Sequence, residues 1–170
     1  VKVAVTHVGI DVGEDGKTHH CLDYIGALRN FFGFGLIVPA DPNQTDRAVR
    51  YMSQTQGNCA IAMGRSTMYP ITDENGNPFF GGNYEYEYGK IDIIRKGKGI
   101  TLLSTGQVTH QAVLAADQLK EDGLEVTVLN LSAPLASDLD SVSDYLTGIV
   151  MTLEDHNIDT GLGSIVEGYF

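Results

Sequence analysis

Apolar residues in this chain fall into short aliphatic runs, separated by longer stretches where they recur every three or four positions. VKVAVTHV at 1–8 reads as a buried strand, and FGLIVPAD at 34–41 as a second one stopped by Pro39. Between them, CLDYIGALRNFF at 21–32 puts Leu22, Ile25, Leu28 and Phe32 on one helical face. NQTDRAVRYMSQTQG at 43–57 predicts a helix with Asn43 as N-cap and Gly57 as its stop, and NCAIAMGR at 58–65 a third strand. This βαβαβ alternation implies parallel strands with helices on the sheet faces.

The texture changes at 66–89, where prolines and glycines interrupt any apolar period and the tyrosines of NYEYEYG alternate with acids, as on one buried face. KIDIIRKGKG and ITLLSTG then predict a strand pair or hairpin. QVTHQAVLAADQLKEDG at 107–123 predicts an amphipathic helix ended by Gly123, and LEVTVLNLSAP at 124–134 a strand. A short helix (SDLDSVSDYL), a strand at 148–155 and the opening of another helix (GLGSIVEGYF) follow. The expected fold class is α/β, with two parallel-sheet αβα units: 1–66, a linker at 67–90, and 91–170. The chain opens inside a strand and stops within a helix, and three parallel strands make a thin sheet. The first unit is therefore expected to need strands from outside these residues, and its open edges to favour self-association.

Charge narrows the function. Among 170 residues, 22 acids oppose 11 bases, for a net charge of −11. That argues against nucleic acid and anionic membranes as partners. No apolar run approaches a membrane span, and no basic, then apolar, leader opens the chain. Cys21 and Cys59 are too few for a disulfide framework and lack CxxC spacing, which favours the cytoplasm.

Ligands of open parallel sheets sit outside the carboxyl ends of the strands. Thr6-His7, Ala40-Asp41 and Gly64-Arg65 follow the three strands of the first unit, so His7 and Arg65 share one rim. An imidazole beside a guanidinium suits a phosphate or carboxylate, although Arg65 could equally pair with a loop acid. GEDGKTHHC at 13–21 hangs on the same rim, with Thr18 as a candidate cap for the next helix. His19 and His20 would then sit at the positive helix end, where neutral imidazole is kept for proton transfer. Asp15 could accept from a sugar hydroxyl, and a solvated turn is the plainer reading of the loop. Zinc on His7, His19, His20 and Cys21 is disfavoured, because adjacent residues rarely converge on one ion and no second spaced pair exists. Glu154, Asp155 and His156 read as a hydrogen-bonded strand end, and GLGS at 161–164 as a poor phosphate loop.

THVGIDVGEDGKTHH at 6–20, with LDYIGALRN, LIVPAD, AIAMGR and VMTLEDHNIDTGLGSIVE, resembles transketolase over nearly the whole chain. The matching parts are the second half of the pyrimidine-binding domain, the linker and most of the C-terminal domain. The resemblance implies thiamine-diphosphate-dependent transfer of a two-carbon ketol unit between sugar phosphates, in the pentose phosphate pathway. It gives His7 and Arg65 to the sugar phosphate, Asp15 to a substrate hydroxyl, and His19 to catalysis and cofactor contact. His20 is a second catalytic candidate, where the family more often has glutamine. The family's catalytic glutamate, its aromatic pocket and its magnesium-diphosphate domain match nothing here, and FFGF at 31–34 replaces a proline-asparagine turn. The implied chain is a fragment or split subunit, inactive alone, completed by N-terminal domains or a partner subunit, and dimeric or otherwise self-associated. Alternatives are 1-deoxyxylulose-5-phosphate synthase, a 2-oxo acid dehydrogenase β subunit, or a non-catalytic assembly remnant. His7, Asp15, His19 and Arg65 occurring together speak against the remnant.

Overall fold

In the computed structural model, which describes residues 1–170, the first sheet has three parallel strands: β1 (Lys2–Val5), β2 (Phe34–Ile37) and β3 (Asn58–Ala62). Their order is β1–β3–β2. Alternate residues serve opposite faces, as the two-residue strand period requires. Leu36, Ala60 and Ala62 pack with Ile25 of α1 (Tyr24–Arg29), while Ile37, Cys59 and Ile61 pack with Ala48 and Met52 of α2 (Pro42–Gln54). Ile25, Leu36 and Ile37 are fully buried, each contributing about 2 kcal/mol.

The second sheet runs β4–β6–β5–β7, from β4 (Asp92–Arg95), β5 (Ile100–Ser104), β6 (Thr127–Asn130) and β7 (Ile149–Leu153). α3 (Thr109–Glu121) covers Leu102 and Val128 on one face. The 3-10 segment Leu139–Tyr145 and α4 (Leu162–Glu167) cover Leu103 and Leu129 on the other. Both units are therefore layered αβα.

Several local expectations are corrected. β4 and β5 form no hairpin: β4 lies antiparallel beside β6, and β5 runs parallel to both β6 and β7. The near-continuous burial of ITLLS suits a strand covered on both faces and drives β5 to the centre. β1 is half-exposed rather than buried, because it forms an edge. α1 has six residues and starts at Tyr24, not at Cys21. Cys21 instead exchanges both backbone hydrogen bonds with Gly9, which bars it from a helix, and Phe32 is fully exposed. α2 is capped by Asp41, whose carboxylate accepts from Gln44 N at 2.7 Å, with Pro42 at the first helical position in place of a cap at Asn43.

The segment between the sheets lies over both. Ile71 and Phe80 enter the core under α3. Tyr84, Tyr86 and Tyr88 turn inward while Glu85 and Glu87 stay exposed. A buried polar network joins the units: Asp92 Oδ2 accepts from Gln44 Nε2 (3.0 Å), Tyr84 OH (3.1 Å) and Asn130 Nδ2 (3.3 Å). Gln44 Oε1 accepts from Ala40 N at 2.8 Å and Asn130 Nδ2 at 3.2 Å. Burial pushes the Asp92 carboxyl up to about 6, against the opposing pull of these hydrogen bonds. No helix is long and apolar enough to cross a membrane. Cys21 and Cys59 are both free.

Candidate functional site

The rim at the carboxyl ends of β1, β2 and β3 is built from three excursions. After β1 the backbone turns sharply at His7, the one non-glycine residue with positive φ, at 65°. A left-handed residue of this kind costs on the order of 1 kcal/mol. Thr6 Oγ1 lies 2.9 Å from His7 Nδ1 and fixes the ring locally. Val8 N then donates to Met63 O, and the Gly9–Cys21 bridge pinches the neck of the loop at 10–20. Fully buried Val12 anchors that loop, and Ser66 Oγ donates to Asp11 O at 3.2 Å. The loop thus leaves the sheet as a pinned excursion, and its polar face stays in solvent.

The 3-10 turn at Gly13–Asp15 presents Asp15 toward the end of β3. Arg65 Nε lies 2.7 Å from Asp15 Oδ2, and His7 Nε2 3.9 Å from the same oxygen. Glu14 stands 3.8 Å from Arg65 Nη2. The structure therefore brings His7, Asp15 and Arg65 together. Of the two readings of Arg65, the chain by itself shows the loop ion pair, and the cationic island is largely neutralised. All three groups remain open to solvent, where such pairs contribute little to stability.

His19 and His20 lie exposed on the same loop. His19 Nδ1 is 3.0 Å from Thr18 Oγ1, which also reaches Asp15 O at 3.4 Å. Neither histidine occupies the positive end of α1, and Thr18 caps no helix. The histidine at that end is His156, whose Nε2 accepts from Ile25 N at 3.0 Å. Asp41, at the end of β2, is spent on structure: its carboxylate also accepts from Ile71 N at 2.8 Å. Burial raises its pKa.

The strand end after β7 is more than a satisfied terminus. Glu154 accepts from Leu162 N and Gly163 N at the start of α4. Asp155 accepts from Ile10 N at 2.8 Å and Gln107 Nε2 at 2.6 Å. Asn157 bonds Leu22 O at 2.9 Å. Three consecutive residues, Asp155 to Asn157, thereby clamp the second unit onto the loop that carries Asp15 and onto the start of α1 that follows it. The ED-H pattern was visible in the sequence; its reach across the unit boundary was not.

The rim is open rather than enclosed. A concavity of about 350 Å³ lined by Phe34, Tyr51, Asn58, Cys59 and Tyr88 lies at the opposite, amino ends of the strands, away from these charges. No three His, Cys, Asp or Glu side chains are placed to hold a metal ion.

Comparison with known proteins gives a consistent family. The transketolase pyrimidine-binding domain matches residues 1–70, and the transketolase C-terminal domain residues 89–169. One of the subunits of the apulose-4-phosphate transketolase of Actinobacillus succinogenes is 30% identical over 98% of this chain and 51% of its own length. A 1-deoxy-D-xylulose-5-phosphate synthase of Desulfitobacterium hafniense is 32% identical over 98% of this chain but 26% of its own. Among solved structures, a split-gene transketolase described as an inactive β4 tetramer superposes with a TM-score of 0.83 at 28% identity, covering 99% of this chain and 52% of that one. The chain spans about half the length of the subunit-type relatives it matches.

Proposed function

Because the chain belongs to the transketolase family, with its pyrimidine-binding and C-terminal domains both represented, we propose that it supplies the sugar-phosphate contacts of an enzyme moving a two-carbon ketol unit. One observation carries this reading: His7, Asp15 and Arg65 meet on one solvent-open rim of an acidic chain. A phosphate dianion is a better partner for the guanidinium than one carboxylate, since it carries more negative charge and can likewise take two parallel N–H bonds. Its arrival exchanges Arg65 from Asp15 to the ligand, and the released Asp15 carboxylate accepts from a sugar hydroxyl. His7 adds a second donor to the phosphate. His19 and His20 face the reacting end of the sugar and hold or pass its protons.

Thiamine diphosphate, with magnesium, is the cofactor the family implies, and it supplies the carbanion-stabilising chemistry when bound. The donor set of this chain does not fit its diphosphate end, since no cluster suited to a metal ion is formed. Cofactor binding is therefore assigned to another polypeptide segment, with His19 the residue here that approaches it. The residues of this chain bind and orient the sugar; remote phosphate binding supplies positioning energy for the reacting end. A partner subunit completes the site, in line with the subunit naming of one relative, and the chain self-associates, in line with the tetramer described as inactive for another. The work is placed in the cytoplasm, where two free cysteines are at home.

The test is a ketol-transfer assay on this chain alone and with a polypeptide carrying the diphosphate-binding domain, thiamine diphosphate and magnesium. Transfer is expected only in the mixture. Arg65→Ala is expected to weaken sugar-phosphate binding roughly 30-fold, the equivalent of one charge-assisted contact, and Lys90→Ala to leave it unchanged. Equal sugar-phosphate binding by wild type and Arg65→Ala would sink the reading.

A further inference from the structure

We infer that Gln107 and Asp155, both in the second unit, are a positioning pair that sets the geometry of the His7–Asp15–Arg65 cluster in the first. The inference rests on the reading of that cluster as an anion site and adds the residues that control it. Gln107 sits in the 3-10 turn after β5 (Gly106–Val108), and Asp155 just after β7. They are bonded to each other at 2.6 Å, and Asp155 holds Ile10 N at 2.8 Å.

Each also rests directly on a glycine. A Cβ on Gly9, whose φ is +86°, would overlap the Asp155 carboxylate, and one on Gly64 would overlap Gln107 Oε1. Gly9 comes two residues after His7, and Gly64 immediately precedes Arg65. The pair therefore bears on the two backbone segments that carry the two rim donors. Those segments lie beyond the ends of β1 and β3, where the first is held by the Val8–Met63 bond and the Gly9–Cys21 bridge, and Asp155 and Gln107 add their contacts at Gly9 and Gly64.

The hydrogen-bond chemistry fixes the orientation. A carboxylate can only accept, so Gln107 must turn its NH2 toward Asp155. Its carbonyl oxygen is then committed to Gly64, buried and without a partner. The Gln107 carbonyl gains no hydrogen bond from the protein on that side. It marks where the second unit presses on the backbone next to Arg65. A unit that contributes no side chain to the cluster thereby sets its affinity for anions.

The experiment uses this chain, isotope-labelled, with inorganic phosphate as the probe and side-chain NMR of His7 and Arg65 as the second readout. Asp155→Ala and Gln107→Met are expected to shift the His7 and Arg65 signals before any phosphate is added. Both are also expected to weaken phosphate binding about tenfold. Asp155→Asn is expected to restore both readouts. It still offers an acceptor to Ile10, and a turned Gln107 amide can then bond it through the carbonyl. Glu154→Gln, in the same segment but directed at α4, is expected to lower stability without moving either signal. Should Asp155→Ala fail to fold, Gln107→Met carries the test, since it leaves the Asp155–Ile10 contact in place. Unmoved His7 and Arg65 signals in Gln107→Met overturn the positioning pair, whatever phosphate does. Moved signals, together with phosphate binding that ignores Arg65→Ala or is absent from the wild type, uphold the pair and overturn the anion reading instead.

Discussion

Between the two units, Gln44, Asp92, Tyr84 and Asn130 spend most of their hydrogen-bonding capacity on one another. On the rim, His7, His19, His20 and Arg65 spend little of theirs within the chain, and what they make is exposed. The carboxyl pushed furthest from its ordinary value, Asp92, lies in the first group and not at the rim. A displaced pKa is commonly read as a sign of a functional site. Here it marks a closed joint, because desolvation raises it and three donors already occupy the oxygen. Availability, rather than titration, separates a site from a joint in this molecule.

The contrast can be broken first at Gln44, which is fully buried and bonded to Ala40 N, Asp92, Tyr84 and Asn130. Gln44→Leu leaves a buried amide and a buried carboxyl short of partners, and is expected to cost about 4 kcal/mol. Urea unfolding at neutral pH measures it; a loss under 1 kcal/mol would mean that the joint is not what holds the units together. Next in size is a pH effect. The folded Asp92 pKa, about 6, lies above the ordinary value of 3.8, so the folded state holds this proton more tightly than the unfolded chain does. Stability from this group is therefore full below pH 4, is lost as pH rises through 6, and totals about 3 kcal/mol. Relative to wild type, Asp92→Asn should gain stability over that window, and parallel pH curves for the two proteins would refute the assignment.

Smaller effects sharpen the comparison from the other side. Arg65→Ala, which is expected to impair phosphate binding, should change unfolding free energy by less than about 1 kcal/mol, since its ion pair with Asp15 is solvent-screened. A larger loss would make Arg65 part of a joint after all. Thr18→Ala is expected to be the quietest, within about 0.5 kcal/mol and with helix content by circular dichroism unchanged, because α1 begins at Tyr24 and takes no cap from Thr18.

Several features were legible from residue order. The placement of residues after parallel strands put His7 and Arg65 on one rim, and the alternation in NYEYEYG foretold three inward tyrosines. Boundaries were less legible. The apolar spacing of 21–32 suits a helix, yet the long-range Gly9–Cys21 bridge claims the backbone at its start. Asn43 has the right chemistry for a cap, but Asp41 before Pro42 has it too, and the added bond from Ile71 N favours Asp41.

By itself the sequence determined what depends on neighbours in the chain: the alternation of strand and helix, and the inward and outward alternation of NYEYEYG. Only the tertiary structure decided the order β4–β6–β5–β7, the Arg65–Asp15 pairing and the seat of Asp155 on Gly9. Asp155 and Ile10 meet across a separation of 145 residues. No local propensity encodes such a contact, because closing a loop of that length is repaid only by the packing of both units at once.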